Sequence, residues 1–137
     1  YKGYYKQICS ILSYFNANMD LLDVKNSREL FNRNYPIYTK LKDNAPSKYG
    51  LDSKVTNSLI ADGCVIDGEV ENCVLFRGVK IGKGSVVKNS ILMQDTVVGE
   101  NTTIDYAITD KNVVVGDSRS LSSSESFPIY VAKDAKV

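Results

Sequence analysis

Asn57-Ser58-Leu59-Ile60, Asn72-Cys73-Val74-Leu75, Asn89-Ser90-Ile91-Leu92 and the degraded Tyr106-Ala107-Ile108-Thr109 are one four-residue unit written four times, at steps of 15, 17 and 17 residues. A finer period of about six runs inside each step. It shows in Leu75-Phe-Arg-Gly-Val-Lys and Ile81-Gly-Lys-Gly-Ser-Val, and again in Leu92-Met-Gln-Asp-Thr-Val and Val98-Gly-Glu-Asn-Thr-Thr. An aliphatic residue opens each hexad and a small or β-branched one follows four positions later. Hexads of this form build left-handed parallel β-helices with three-sided coils. Each side is a short strand with its turn, and successive coils stack at the roughly 4.8 Å spacing of hydrogen-bonded strands.

This geometry predicts interior columns: Ile60, Leu75 and Leu92 in one, Ile66, Ile81 and Val98 in a second, Val87 and Ile104 in the third. No coil buries these side chains alone, so stability comes from stacked neighbours. Gly63, Gly68, Gly78, Gly82, Gly84, Gly99 and Gly116 fall at or near the expected corners. Gly82-Lys83-Gly84 is accordingly a corner and not a phosphate loop, which needs a strand before it, a helix after it and a third glycine in register.

The 137 residues suit one domain or a domain with an attachment, and 43% hydrophobic with 24% charged residues is ordinary for a globular chain. A net charge of +1 argues against nucleic acid as a partner. No apolar run approaches the roughly 18 residues of a membrane span and no signal peptide is visible, so the expected setting is soluble and cytoplasmic, without a membrane partner. Cys9, Cys64 and Cys73 are odd in number and lack Cys-x-x-Cys spacing, and there is no histidine to complete a metal site. They read as packing residues, with no metal, in a reducing compartment.

Ser10 is an N-cap for a helix over residues 10–22 that carries Leu12, Phe15, Met19 and Leu22 on one face. Lys25 to Tyr49 lose that periodicity, and Tyr35-Pro36-Ile37-Tyr38 reads as extended because a residue before proline avoids helical geometry. The segment is expected to be an ordered linker that packs. Ser120 to Ser126 reads as a loop thrown out from the last coil, with Ile129-Tyr130-Val131 returning as a strand and Asp134 to Val137 beginning another turn. The chain opens at Tyr1 inside what reads as a structured element, as a piece of a longer protein would.

Gly3-Tyr4-Tyr5-Lys6-Gln7-Ile8-Cys9-Ser10, followed by Tyr14-Phe15-Asn16-Ala17-Asn18-Met19-Asp20-Leu21-Leu22, resembles the end of the catalytic domain of sugar-1-phosphate nucleotidyltransferases. Pro36-Ile37-Tyr38-Thr39, then Val55 to Cys64, is similar to the linker and first coil of glucose-1-phosphate adenylyltransferase, also called ADP-glucose pyrophosphorylase. The resemblance runs through nearly the whole chain. It implies a division into residues 1–50, the tail of the catalytic domain with helix and linker, and 51–137, the β-helix domain.

In catalytic members the motif runs Gly-Tyr-Trp-x-Asp-[Ile/Val]-Gly-Thr, and its aspartate holds the magnesium that bridges the nucleotide phosphates. Gln7 stands at that position, Tyr5 at the tryptophan and Cys9 at the glycine. An amide offers a carbonyl oxygen but no charge, and Mg²⁺ prefers anionic oxygen in a tight octahedral shell. The drift is similar to the GlgD-type subunit, which pairs with a catalytic partner and modulates it. The resemblance thus implies a regulatory, oligomerising role in glycogen synthesis, at the step from ATP and glucose 1-phosphate to ADP-glucose and diphosphate. No cofactor is expected in this chain, since ATP and Mg²⁺ belong to the family's catalytic domain.

Expected partners are the catalytic subunit, further copies of the chain itself and a phosphorylated small-molecule effector. Lys133 matches the place where related enzymes carry an effector-binding lysine, and Arg77, with Lys80 and Lys83, is a second basic group. Such cations hold phosphate through charge-assisted hydrogen bonds, although all four also read as solvated faces of a coil. One rival is a hexapeptide acyltransferase, whose general base is usually a histidine. This chain has none, and neither Asp62 nor Glu100 sits in a recognisable catalytic setting. A purely structural interaction module is the other rival.

Overall fold

The computed structural model describes residues 2–39 and 43–137. It is a β-solenoid with two short helices ahead of it. Every strand pairs with the strand one coil away, in parallel, so three five-stranded sheets form three flat faces. The first face stacks Lys48–Tyr49, Val65–Ile66, Lys80–Ile81, Val97–Val98 and Val114–Val115. The second stacks Lys54–Thr56, Glu69–Glu71, Val86–Lys88, Thr103–Asp105 and Ser120–Ser122. The third stacks Leu59–Ile60, Val74–Leu75, Ile91–Leu92, Ala107–Thr109 and Ile129–Val131.

The registers reproduce the expected columns. Ile60 pairs with Leu75 and Leu75 with Leu92. Ile66 pairs with Ile81 and Ile81 with Val98, while Val87 pairs with Ile104. Leu75, Ile81, Val87, Leu92 and Ile104 are buried in one continuous core. Cys64 and Cys73 belong to it too, and burial pushes the Cys73 thiol up to about 12. A neutral, packed thiol is what the small interior positions require.

Each position of the repeated unit has its own physical task. The first is the corner between the second and third faces, where Asn57, Asn72, Asn89 and Tyr106 all adopt positive φ, between 45° and 52°. Asparagine tolerates that left-handed geometry better than most residues with a Cβ. At the second position a small side chain lets the next coil close. Ser58 Oγ accepts the Cys73 amide at 3.1 Å, and Ser90 Oγ accepts the Ala107 amide at 3.2 Å. The fourth position points inward, as the columns show. The third points outward, yet Val74, Ile91 and Ile108 are still buried, because Phe15 covers them in a second apolar cluster.

Phe15 comes from α1, Ile11–Asp20, which lies against the outside of the third face. Ser10 caps it in a reciprocal box with Ser13, satisfying two amides that would otherwise lack partners. Of the expected face, Phe15 is buried and Met19 and Leu22 pack against its cluster, but Leu12 is exposed. The helix therefore docks on a flat flank and leaves the open coil ends uncovered.

Three expectations need correction. Val24–Leu30 forms a second helix, α2, where periodicity was absent. Asp23 caps it through the Lys25 amide at 2.8 Å, and none of its residues is buried, so no apolar face existed to betray it. The Tyr35 to Tyr38 stretch does not pack, since Tyr35, Ile37 and Tyr38 are exposed, whereas the later linker does: Asn44 and Ala45 lie against the Gly63 corner, the Ser47 hydroxyl donates to the Ala61 carbonyl at 2.8 Å, and Lys48–Tyr49 joins the first face. Residues 40–42 of that linker lie outside the described residues. Finally, Ser120–Ser122 is a strand, since Leu121 continues the Ile104 column. The excursion is confined to the turn after it, closed by a bridge between Ser124 and Phe127, and it lengthens the step from Ile108 to Tyr130 to 22 residues. Beyond it Lys136 bridges to Val114, so the chain's end does begin another turn.

Candidate functional site

The corner between the third and first faces is built from residues 63, 78, 95, 112 and 134, all at positive φ. Gly63 and Gly78 reach it without a Cβ, whereas Asp95, Asn112 and Asp134 rely on short polar side chains. The residue just before each corner is thereby brought into one line. Asp95 N–H donates to the Arg77 carbonyl at 3.0 Å, Asn112 N–H to that of Gln94 at 3.0 Å, and Asp134 N–H to that of Lys111 at 3.0 Å. With Gly78 N–H donating to the Asp62 carbonyl at 3.1 Å, Asp62, Arg77, Gln94, Lys111 and Lys133 therefore occupy the same position in five successive coils.

Two residues singled out from sequence, Arg77 and Lys133, thus share a column, three coils or roughly 14 Å of rise apart. Lys111 is the member that sequence reading missed, although its place just before Asn112 is the signal that would have found it. Lys80 and Lys83 lie elsewhere: Lys80 is on the first face, and Lys83 lines a notch with Asp52, Asp67, Glu69 and Glu100. The column is not a bare cationic strip. Asp95, Asp110 and Asp134 interleave with it, and the Tyr130 hydroxyl donates to Asp110 at 2.7 Å. That bond, with the Lys111 amide and the nearby lysines, holds the Asp110 carboxyl below its usual range.

Arg77 and Gln94 also line a groove between the helices and the third face, with Leu21, Phe31, Leu59 and Phe76 as its apolar walls. The Gln94 amide oxygen is buried there without a hydrogen-bond partner among the described residues. A ligand donor would satisfy it.

Gln7 lies in the exposed segment before α1. The nearby carboxylate of Asp20 is already engaged, by Lys6 at 2.6 Å and by the Tyr4 hydroxyl at 3.3 Å. No group of three or more potential metal ligands occurs among the described residues. The uncharged amide of Gln7 does not fit magnesium, which wants several anionic oxygens.

Residues 44–124, more than half of the chain, match the model of the GlmU-like C-terminal hexapeptide family. The chain is 49% identical over 88 residues to the glycogen biosynthesis protein GlgD of Bacillus subtilis, covering 64% of this chain and 26% of that protein. It is 58% identical over 71 residues to GlgD of Geobacillus stearothermophilus, covering 52% and 21%. To the glucose-1-phosphate adenylyltransferase of Geobacillus stearothermophilus it is 44% identical over 88 residues, covering 64% and 23%. The chain spans about a quarter of the length of these curated relatives. Its hexad columns, its three parallel faces and the extent of the family match place this protein in the GlmU-like C-terminal hexapeptide family.

Proposed function

We propose that this solenoid is the assembly and regulatory module of a glucose-1-phosphate adenylyltransferase subunit in cytoplasmic glycogen synthesis, acting on a catalytic partner that supplies the ATP and Mg²⁺ chemistry. The observation that carries the reading is the way the interior is used. Aliphatic side chains fill it column by column, so the described residues enclose no reaction centre, while the outer surface keeps the groups that recognise other molecules. GlgD relatives and adenylyltransferase relatives match the same chain at comparable identity, which suits a module shared by both kinds of subunit.

The open end of the first coil supports assembly. Lys48–Tyr49, Lys54–Thr56 and Leu59–Ile60 are each the outermost strand of a face, with Tyr49 and Leu51 exposed beside them. Unpaired edges of this kind are normally covered. The Arg77, Lys111 and Lys133 column is the seat for a phosphorylated effector, with Lys111 and Lys133 one coil apart and so able to share one phosphate.

The test uses the full-length subunit and its catalytic partner, expressed together. Co-elution as a hetero-oligomer, with ADP-glucose formation altered relative to the catalytic subunit alone, is the expected result. Separate elution with unchanged turnover would overturn the reading. Lys133→Ala should leave co-elution intact and shift the concentration of inorganic phosphate or sugar phosphate needed to change the rate.

A further inference from the structure

The asparagines at the corner between the second and third faces do more than turn the chain. Asn57 Nδ2 donates to Asn72 Oδ1 at 2.7 Å, Asn72 Nδ2 to Asn89 Oδ1 at 3.3 Å, and Asn89 Nδ2 to the Asp105 carboxylate at 3.0 Å. A carboxamide carries two N–H donors and two acceptor lone pairs. The ladder uses one donor on each rung, so a second donor and a lone pair stay available at every coil. These rungs line a groove of ≈ 430 Å³ whose opposite wall is Phe15, Asn16 and Met19 of α1. That volume lies within the roughly 300–1,000 Å³ of small-molecule sites.

Two departures from the regular repeat converge on this one groove, where α1 meets them. Tyr106 replaces the fourth asparagine and is held at φ 52°, a conformation that suits asparagine and not an aromatic residue. A corner alone would be better served by another asparagine. Strained residues of this kind cluster at ligand sites. The Tyr106 ring lies 6.1 Å from that of Phe15, which fixes it as part of the lining. The excursion after Ser122 brings Glu125 to the same lining, and α1 contributes Asn16.

The charges select the ligand. Asp23 and Glu125 line the groove and, among the described residues, no lysine or arginine does, so phosphates are disfavoured while hydroxyl donors are accepted. We propose that the groove binds a neutral oligosaccharide laid along the solenoid axis. Its hydroxyls would bridge successive carboxamides at the coil spacing of about 4.8 Å, and one sugar ring would rest against Tyr106. The choice of an α-1,4-linked glucan as first probe rests on the proposed role in glycogen synthesis; the groove's chemistry does not.

Titration calorimetry of the full-length protein with maltohexaose and with cellohexaose tests this. Binding of maltohexaose is expected, weakened at least tenfold by Tyr106→Asn, which restores the regular rung. Glu125→Ala, on an exposed turn, is expected to weaken it several-fold with no change in thermal midpoint. Equal binding of cellohexaose would support a neutral-oligosaccharide site without linkage preference. Absence of heat with both sugars at millimolar concentration, or binding that both variants leave unchanged, would overturn the proposal. Neither result touches the assembly reading, which is scored by co-elution and by the partner's turnover.

Discussion

Ile91→Ala separates the two jobs that the repeated unit performs. Ile91 and Leu92 are adjacent and both fully buried, but Leu92 lies in an interior column and Ile91 lies under Phe15 of α1. Truncating isoleucine to alanine removes three carbons, about 2.4 kcal/mol at about 0.8 kcal/mol per buried methylene. Incomplete collapse of the space left behind raises this to about 3 kcal/mol, inside the ~2–5 kcal/mol range of such changes. The loss should fall mainly on the docking of the helix, since Ile91 meets its neighbours Val74 and Ile108 on the outer face under Phe15 and leaves the interior columns between stacked coils intact.

Amide hydrogen exchange read by mass spectrometry is the assay. Exchange over Ile11–Asp20 should accelerate about 100-fold, at about 1.4 kcal/mol per decade, while amides of Val70, Val87 and Ile104 keep their protection. Leu92→Ala should instead lower protection through the whole stack. Uniform loss in Ile91→Ala, or unchanged protection of α1, would refute the division of the unit into an inward and an outward aliphatic position.

The left-handed corner makes a second prediction: Asn89→Ala should cost about 1–2 kcal/mol more than Asn89→Gly in urea unfolding, because both lose the amide ladder and only alanine strains the backbone. Equal costs would mean that the corner is not under conformational constraint. In labelling with an aromatic disulfide at pH 8, Cys9 should react in the native state while Cys64 and Cys73 react only after unfolding, since both are buried with thiols pushed up by desolvation. The Tyr130–Asp110 bond gives a pH signature. Asp110 is depressed in the fold, so its contribution is present above the unfolded carboxyl value near 3.8 and lost as pH falls through the lower folded value. Tyr130 is raised, so its contribution is present below 10.0 and lost as pH rises through the folded value. The stability difference between the parent and Tyr130→Phe should therefore be flat across neutral pH and shrink at both extremes, and a difference independent of pH would count against the bond.

Spacing along the chain was enough to specify the solenoid and its inward columns. In a stacked coil the spatial neighbour of a residue is the residue one step along the chain, so Ile60, Leu75 and Leu92 announce their contact through spacing alone. The N-cap at Ser10 was legible for the same reason, as a local pattern with a local cause. What lies outside the columns depends on contacts between distant segments. Strand alternation turns Leu59, Val74, Ile91 and Ile108 outward, but which of them are buried is set by where α1 docks, which no period encodes: Val74, Ile91 and Ile108 lie with Phe15 and Leu59 stays exposed. The alignment of Arg77 with Lys111 and Lys133, and the meeting of Tyr106, Glu125 and Asn16 along the asparagine ladder, depend likewise on how corners superpose across coils of unequal length. Repetition makes the core readable, while function collects where the repeat is broken, and those breaks become neighbours only once the chain is wound.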